Sequence, residues 1–147
     1  MLLSAAQIAG YAQSAGFTGT GLVNAVAVAL AESNGDTNAR NVNAGGSVDR
    51  GVWQINGYWH SEVSGAQAYD PAQAAVAAYR ISSGGSDWTP WSTWGNGRYR
   101  LFLAQAQQAV AQPGQAAPAT TTATPSDSTA TVAAIGVLAG LAYLVFG

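Results

Sequence analysis

Apolar positions at the start of the chain recur with the period of an α-helix. Ile8, Tyr11, Ala12 and Ala15 stand at i, i+3, i+4 and i+7, which is one helical face. Ser4 and Gln7 precede them in the order of a capping box, and Gly16 is placed to end the element. The next apolar run, Leu22 to Ala31, is apolar nearly all round, and so predicts a buried central helix over roughly Leu22–Ser33. Asn34-Gly35 supply its left-handed cap. From Asp36 to Asp49 the chain turns polar and rich in Asn and Gly. Short strands near Arg40–Val42 and Ser47–Gly51, joined by a turn at Asn43–Gly46, make a small hairpin. An isolated hairpin is marginally stable, so this one must pack against the helices, leaving a cleft between. Gly51 to His60 alternates bulky and amide residues and reads as a short helix or irregular segment.

Helical patterning returns at Asp70-Pro71-Ala72-Gln73, where Asp70 is the N-cap, Pro71 takes the first helical position and Gln73 completes a capping box. Val76, Tyr79 and Ser83 share a face, and Gly84-Gly85 ends the helix. Trp88, Trp91 and Trp94 follow at three-residue spacing, but Pro90 argues against one continuous helix. Core packing is expected for at least two of the three. Tyr99 to Ala111 is a last amphipathic helix, whose nearby Arg98 and Arg100 oppose its dipole and are expected to serve a salt bridge, with Asp87 the candidate partner. Residues 113–130 are a Pro/Ala/Thr-rich linker. Residues 131–147 are uncharged and apolar, and as a helix would span roughly 25 Å, a little short of the ~30 Å hydrocarbon core. Gly136 and Gly140 form a small-xxx-small face suited to close helix pairing. The tail reads as a membrane anchor or a helix packed in an assembly. The expected organisation is a mainly α, α+β domain over 1–112, a linker, and a C-terminal hydrophobic helix.

Charge narrows the function. Only 8% of residues are charged, the net charge is −2, and the five basic residues are all arginine. That balance argues against a nucleic-acid partner, whose footprint is a basic patch or stripe. Without cysteine there is neither a disulfide framework nor thiolate chemistry. One histidine with no His/carboxylate cluster argues against a metal site, and no serine lies in a nucleophile-elbow pattern. No cofactor is implied. The N-terminus lacks the basic and long apolar regions of a secretory signal peptide.

Two carboxyls stand out. Glu32 lies in the last turn of the buried helix, at the negative end of its dipole, and both that position and partial burial favour the protonated acid. The competing reading is an exposed last-turn glutamate. Asp49 is either a second carboxylate facing Glu32 or a turn residue, and Arg50 beside it is a ready partner. Two carboxyls facing each other across a cleft are the equipment for cleaving a glycosidic bond.

The stretch Glu32-Ser33-Asn34 to Asp49-Arg50-Gly51-Val52-Trp53-Gln54-Ile55-Asn56 resembles the lysozyme and lytic transglycosylase superfamily, particularly the compact lysozyme-like domains of bacteriophage virion proteins and actinobacterial wall enzymes. The later segment from Asp70-Pro71 through Tyr79 to Trp94 is similar to what closes those domains. The resemblance implies a lysozyme-like fold over roughly Ser4 to Gln112. It implies Glu32 as general acid and Asp49 as second carboxylate, with Gln54, Asn56, Trp59 and Tyr79 as substrate-binding residues. The family's disulfides are absent, so packing alone must hold the cleft. The expected partner is the glycan strand of peptidoglycan, cut between N-acetylmuramic acid and N-acetylglucosamine by hydrolysis or transglycosylation. A virion- or membrane-associated lysin fits these features. The alternative is a catalytically silent virion component that keeps the fold and binds the wall.

Overall fold

The Ser4–Gln7 capping box forms as the sequence indicates: Gln7 N–H donates to Ser4 Oγ at 3.2 Å and Ser4 N–H to Gln7 Oε1 at 2.9 Å. It opens helix α1, Ala5–Ala15, and Gly16 closes it at φ 114°. This computed structural model describes residues 1–112. The linker at 113–130 and the hydrophobic helix and membrane anchor expected at 131–147 lie outside the described residues. Among the described residues no helix is long and apolar enough to cross a membrane.

Helix α2, Gly19–Ser33, is the axis of the core, with Ala25, Val26, Ala27, Val28 and Ala29 fully buried. It begins earlier than the apolar run suggests, because Thr18 in extended backbone serves as its N-cap. A helix buried on every side must be covered on every side. The cover comes from α1, from a 3₁₀ turn at Arg98–Phe102, and from α6, Leu103–Val110. Helix α4, Pro71–Ile81, packs on α1. Between them, Phe17 stacks on Trp88 with ring centres 5.7 Å apart and meets Tyr79 edge-on at 5.0 Å. Two short helices complete the set: α3, Gly65–Tyr69, and α5, Ser92–Gly95.

The sequence reading did not anticipate α3, though Ser64 and Gln67 form a capping box around its first turn. Its end also changes the start of α4. Asp70 N–H is spent on Ala66 C=O at 3.1 Å, so Gln73 returns no bond and only the Asp70 side chain caps, accepting from Gln73 N–H at 2.9 Å. The expected last helix is divided: a 3₁₀ turn leads into α6 at Leu103.

The hairpin is present as β1, Arg40–Val42, and β2, Val48–Arg50. A third strand, β3 at Ile55–Asn56, pairs with β2, so part of the segment read as helical or irregular instead completes a sheet of order β1-β2-β3, antiparallel throughout. Its register places Asn41 and Asn56 directly opposite Asp49 on either side. Cross-strand partners share a face, so an amide flanks the carboxyl on both sides. Gly51, at φ 74°, lets the chain leave β2 against α3. A Cβ there would collide with the Ala68 carbonyl, so the position admits only glycine. The product is a mostly helical α+β domain with a small sheet on one flank.

Candidate active site

The site is assembled where the end of α2 meets the sheet. Ser33 fastens the two parts: its hydroxyl donates to Val52 C=O at 2.8 Å and accepts from Gly35 N–H at 3.1 Å. Asn34, at φ 53°, then turns the chain out of the helix. Glu32, one residue earlier, is thereby held half-buried, facing a cleft of about 590 Å³ that lies between the helices and the sheet. Asp49, Gln54, Asn56, Trp59 and Trp91 line the same cleft.

Glu32 Oε1 accepts a hydrogen bond of 2.7 Å from the hydroxyl of Thr93, a buried residue of α5. Burial is the largest influence on the carboxyl and pushes its pKa up; hydrogen bonds from the Thr93 hydroxyl and backbone pull it down. The negative charge of Asp49 pushes it up again, Arg98 opposes, and the balance leaves Glu32 raised above its ordinary value. Thr93 is itself braced from the core. Trp53 Nε1–H donates to Ala25 C=O of α2 at 3.0 Å, and Trp91 Nε1–H donates to Trp53 C=O at 2.7 Å. Both indoles are buried, so the segment carrying Thr93 is tied to the helix that carries Glu32.

Asp49 is held differently. Its Oδ1 accepts from Asn56 Nδ2 at 2.6 Å, and its Oδ2 from Asn43 Nδ2 at 3.0 Å and Asn41 Nδ2 at 3.3 Å. Three amides therefore fix the carboxyl at the cleft wall. The expected alternative, pairing with Arg50, does not occur. Successive strand residues point to opposite faces, and the Arg50 guanidinium turns toward Val48 C=O at 3.3 Å, close to Gly57 and Gly65.

The remaining candidates divide. Trp59 is 73% exposed at the cleft mouth, its ring meeting Tyr58 edge-on at 4.9 Å. Gln54 reaches the cleft, but its Nε2 donates to Gly51 C=O at 2.9 Å and Ala39 C=O at 3.1 Å, holding a turn in which Gln54 itself has φ 48°. Asn56 is fully engaged: Nδ2 bonds Asp49 and Ser47 Oγ, while Oδ1 accepts from Tyr58 and Trp59 N–H. It thus orients Asp49 and the Trp59 turn from its place in the cleft lining. Tyr79, expected to bind substrate, is placed elsewhere. Its ring packs against Phe17 and beside Gly16 and Gly84, away from the cleft-lining set, because its helical face belongs to the α1–α4 contact.

Three residues escaped the sequence reading: Thr93, Asn43 and Asn41. The alternation of Asn41 and Asn43 with a strand period was the available signal for the amide cage. Nothing in the local sequence marks Thr93, whose partner lies 61 positions away. Arg98 and Arg100 were expected to bridge to Asp87. Instead Arg100 lies 5.8 Å from the Tyr99 ring centre, and Asp87 accepts from Thr89.

The family model described as a lysozyme like domain matches residues 9–93. Lysozyme C of Ortalis vetula is 34% identical over 92 residues, covering 53% of this chain and 71% of that protein. No solved structure gives a significant match.

Proposed function

Since this chain belongs to the lysozyme-like domain family, we propose that it is a glycosidase that hydrolyses peptidoglycan glycan strands at the β-1,4 bond between N-acetylmuramic acid and N-acetylglucosamine. The observation that carries the reading is the pair of carboxyls in one cleft, one half-buried with a raised pKa and the other caged by amides. Carboxyls in such contrasting surroundings suit different roles. Glu32, whose burial favours the protonated form, gives its proton to the leaving glycosidic oxygen as the C–O bond breaks. Asp49 faces the anomeric carbon and stabilises the positive charge that develops there. Glu32, now a carboxylate, takes a proton from the water that completes hydrolysis, and the site is restored. Trp59 offers an exposed aromatic face to a sugar ring, and Gln54 lines the cleft beside Glu32.

The second carboxylate is what distinguishes this reading from transglycosylation, which needs only the general acid. Asp49→Asn keeps the shape of the caged group and removes its charge. Hydrolysis of purified sacculi is expected to fall by about 10²-fold or more, the range of a lost electrostatic stabiliser. Unchanged turnover would remove Asp49 from the mechanism.

The biological setting we propose is a virion- or membrane-associated lysin, which rests on the apolar tail and on the sequence resemblance alone. Co-sedimentation of the full chain, but not of residues 1–112, with virions or vesicles is the expected outcome. Equal behaviour of the two forms would dismiss the anchor.

A further inference from the structure

A second cavity adjoins the first at Glu32, and Asp49 lines only the first. It shares Glu32 and Gln54 with the first and is walled by Asn34, Asn38, Arg40 and Arg98. Its volume is about 780 Å³, enough for saccharide units beyond the cleavage point. The placement assigns it a side of the substrate. A general acid protonates the oxygen between the two sugars, and the second carboxylate faces the anomeric carbon of the sugar that keeps the positive charge. The sugar on the Asp49 side is therefore the one attacked. The cavity beyond Glu32 receives the leaving portion of the strand.

Two arginines in that cavity are unexpected in a chain with only five cations. Among the described residues neither Arg40 nor Arg98 forms an ion pair with a carboxylate. The nearby acids are already engaged. Asp36, also in the wall, is 3.7 Å from the Met1 amino group and accepts from Asn38 N–H, and Glu32 is bonded to Thr93. Arg98 lies near enough to Glu32 for its charge to act on that carboxyl. Both arginine side chains are exposed, as groups waiting for a soluble anion must be.

We propose that Arg40 and Arg98 form an anion-reading subsite that selects strands carrying a carboxylate on the leaving-side muramyl residue. This rests on the glycosidase reading above. The guanidinium fork matches a carboxylate in a planar, two-bond geometry, which a neutral sugar cannot reproduce. On a glycan strand such a carboxylate comes from the peptide stem or, where the stem is missing, from the lactyl group. The subsite supplies selectivity that the net negative charge of the protein otherwise opposes.

The test compares cleavage of three substrates by the full chain: peptide-bearing strands, strands stripped of peptide that expose the lactyl carboxylate, and neutral chitooligosaccharides. For each enzyme form the readout is the ratio of kcat/KM on a charged substrate to that on the neutral one. The wild type is expected to favour charged strands, and the double variant Arg40→Gln/Arg98→Gln to lose about tenfold or more of that ratio. Arg40→Lys/Arg98→Lys, which keeps the charge, is expected to retain part of it. The wild-type preference should also decline with added salt. Preference for peptide-bearing over stripped strands identifies the stem carboxylate as the ligand, the reverse preference identifies the lactyl group, and equal preference means that either carboxylate is read. A ratio that the Gln variants leave unchanged, or a wild type that cuts all three substrates equally, overturns the subsite and leaves the glycosidase intact. Cleavage of none of the three by the wild type overturns both.

Discussion

Glu32 owes its character to neighbours rather than to its own identity. The same side chain on an exposed surface away from a helix end would titrate normally. Here burial pushes its pKa up and the Thr93 hydroxyl holds it partly down. Thr93→Val removes the O–H donor while keeping nearly the same shape, so the Glu32 pKa should rise further. A general acid works only while protonated. The alkaline limb of the pH–rate profile is therefore expected to move to higher pH in this variant, with the acidic limb little changed. An alkaline limb that stays in place would show that the hydroxyl does not tune the acid. Asp49 illustrates the opposite arrangement, a carboxyl defined by donors: three asparagine amides fix both of its oxygens.

At the scale of elements, the site depends on how closely the sheet can approach the helices. Gly51 and Ser33 set that distance. Ser33 bonds the end of α2 to Val52, and Gly51 lets the chain leave β2 against the Ala68 carbonyl. Gly51→Ala forces a Cβ into backbone, which cannot swing aside as a side chain would, and adds the strain of a positive φ. The expected loss is about 1–3 kcal/mol or more, read as a lower urea midpoint, accompanied by reduced activity as the sheet is displaced from Glu32. A variant of wild-type stability would mean that α3 yields freely. The glycine of the sequence motif thus has a packing reason. The serine of Glu32-Ser33 has one too, tying helix to sheet.

Across the whole molecule, stability and catalysis draw on Glu32 in opposite directions. In the unfolded chain its carboxyl titrates at the ordinary value; in the fold the value is higher. The native state therefore holds the proton more tightly. The stabilisation from this group is fully present below the ordinary value and is lost as pH rises through the raised one. Glu32→Gln cannot ionise, so it is expected to be at least as stable as the wild type near neutral pH, with the difference shrinking toward acid. Thermal melts of both forms across pH read this directly. A Gln variant less stable at neutral than at acid pH, relative to wild type, would contradict the desolvation argument.

Much of this architecture was legible in the chain. The capping box of α1, the all-apolar α2 with its Asn34 cap and the β1–β2 hairpin follow from local patterns, and they recur in the structure because burial and capping agree there. What was not legible depends on contacts between distant segments. The third strand at Ile55–Asn56 exists because β2 offers it an edge. Tyr79 shares the mixed surroundings of a cleft aromatic in sequence, yet its face is taken by the α1–α4 contact. Thr93 becomes a partner of Glu32 only once Trp53 and Trp91 have brought α5 against α2.

Mass spectrometry of the fragments that the full chain releases from purified sacculi, with Glu32→Gln beside it, tests the proposed hydrolysis most directly. Hydrolysis by Glu32 and Asp49 should yield muropeptides with free reducing ends from the wild type and a loss of about 10²–10⁴-fold in their rate of release from the variant. Anhydro-muramyl ends would contradict the role given to Asp49. Fragment release that continues undiminished without the Glu32 carboxyl would contradict the mechanism itself.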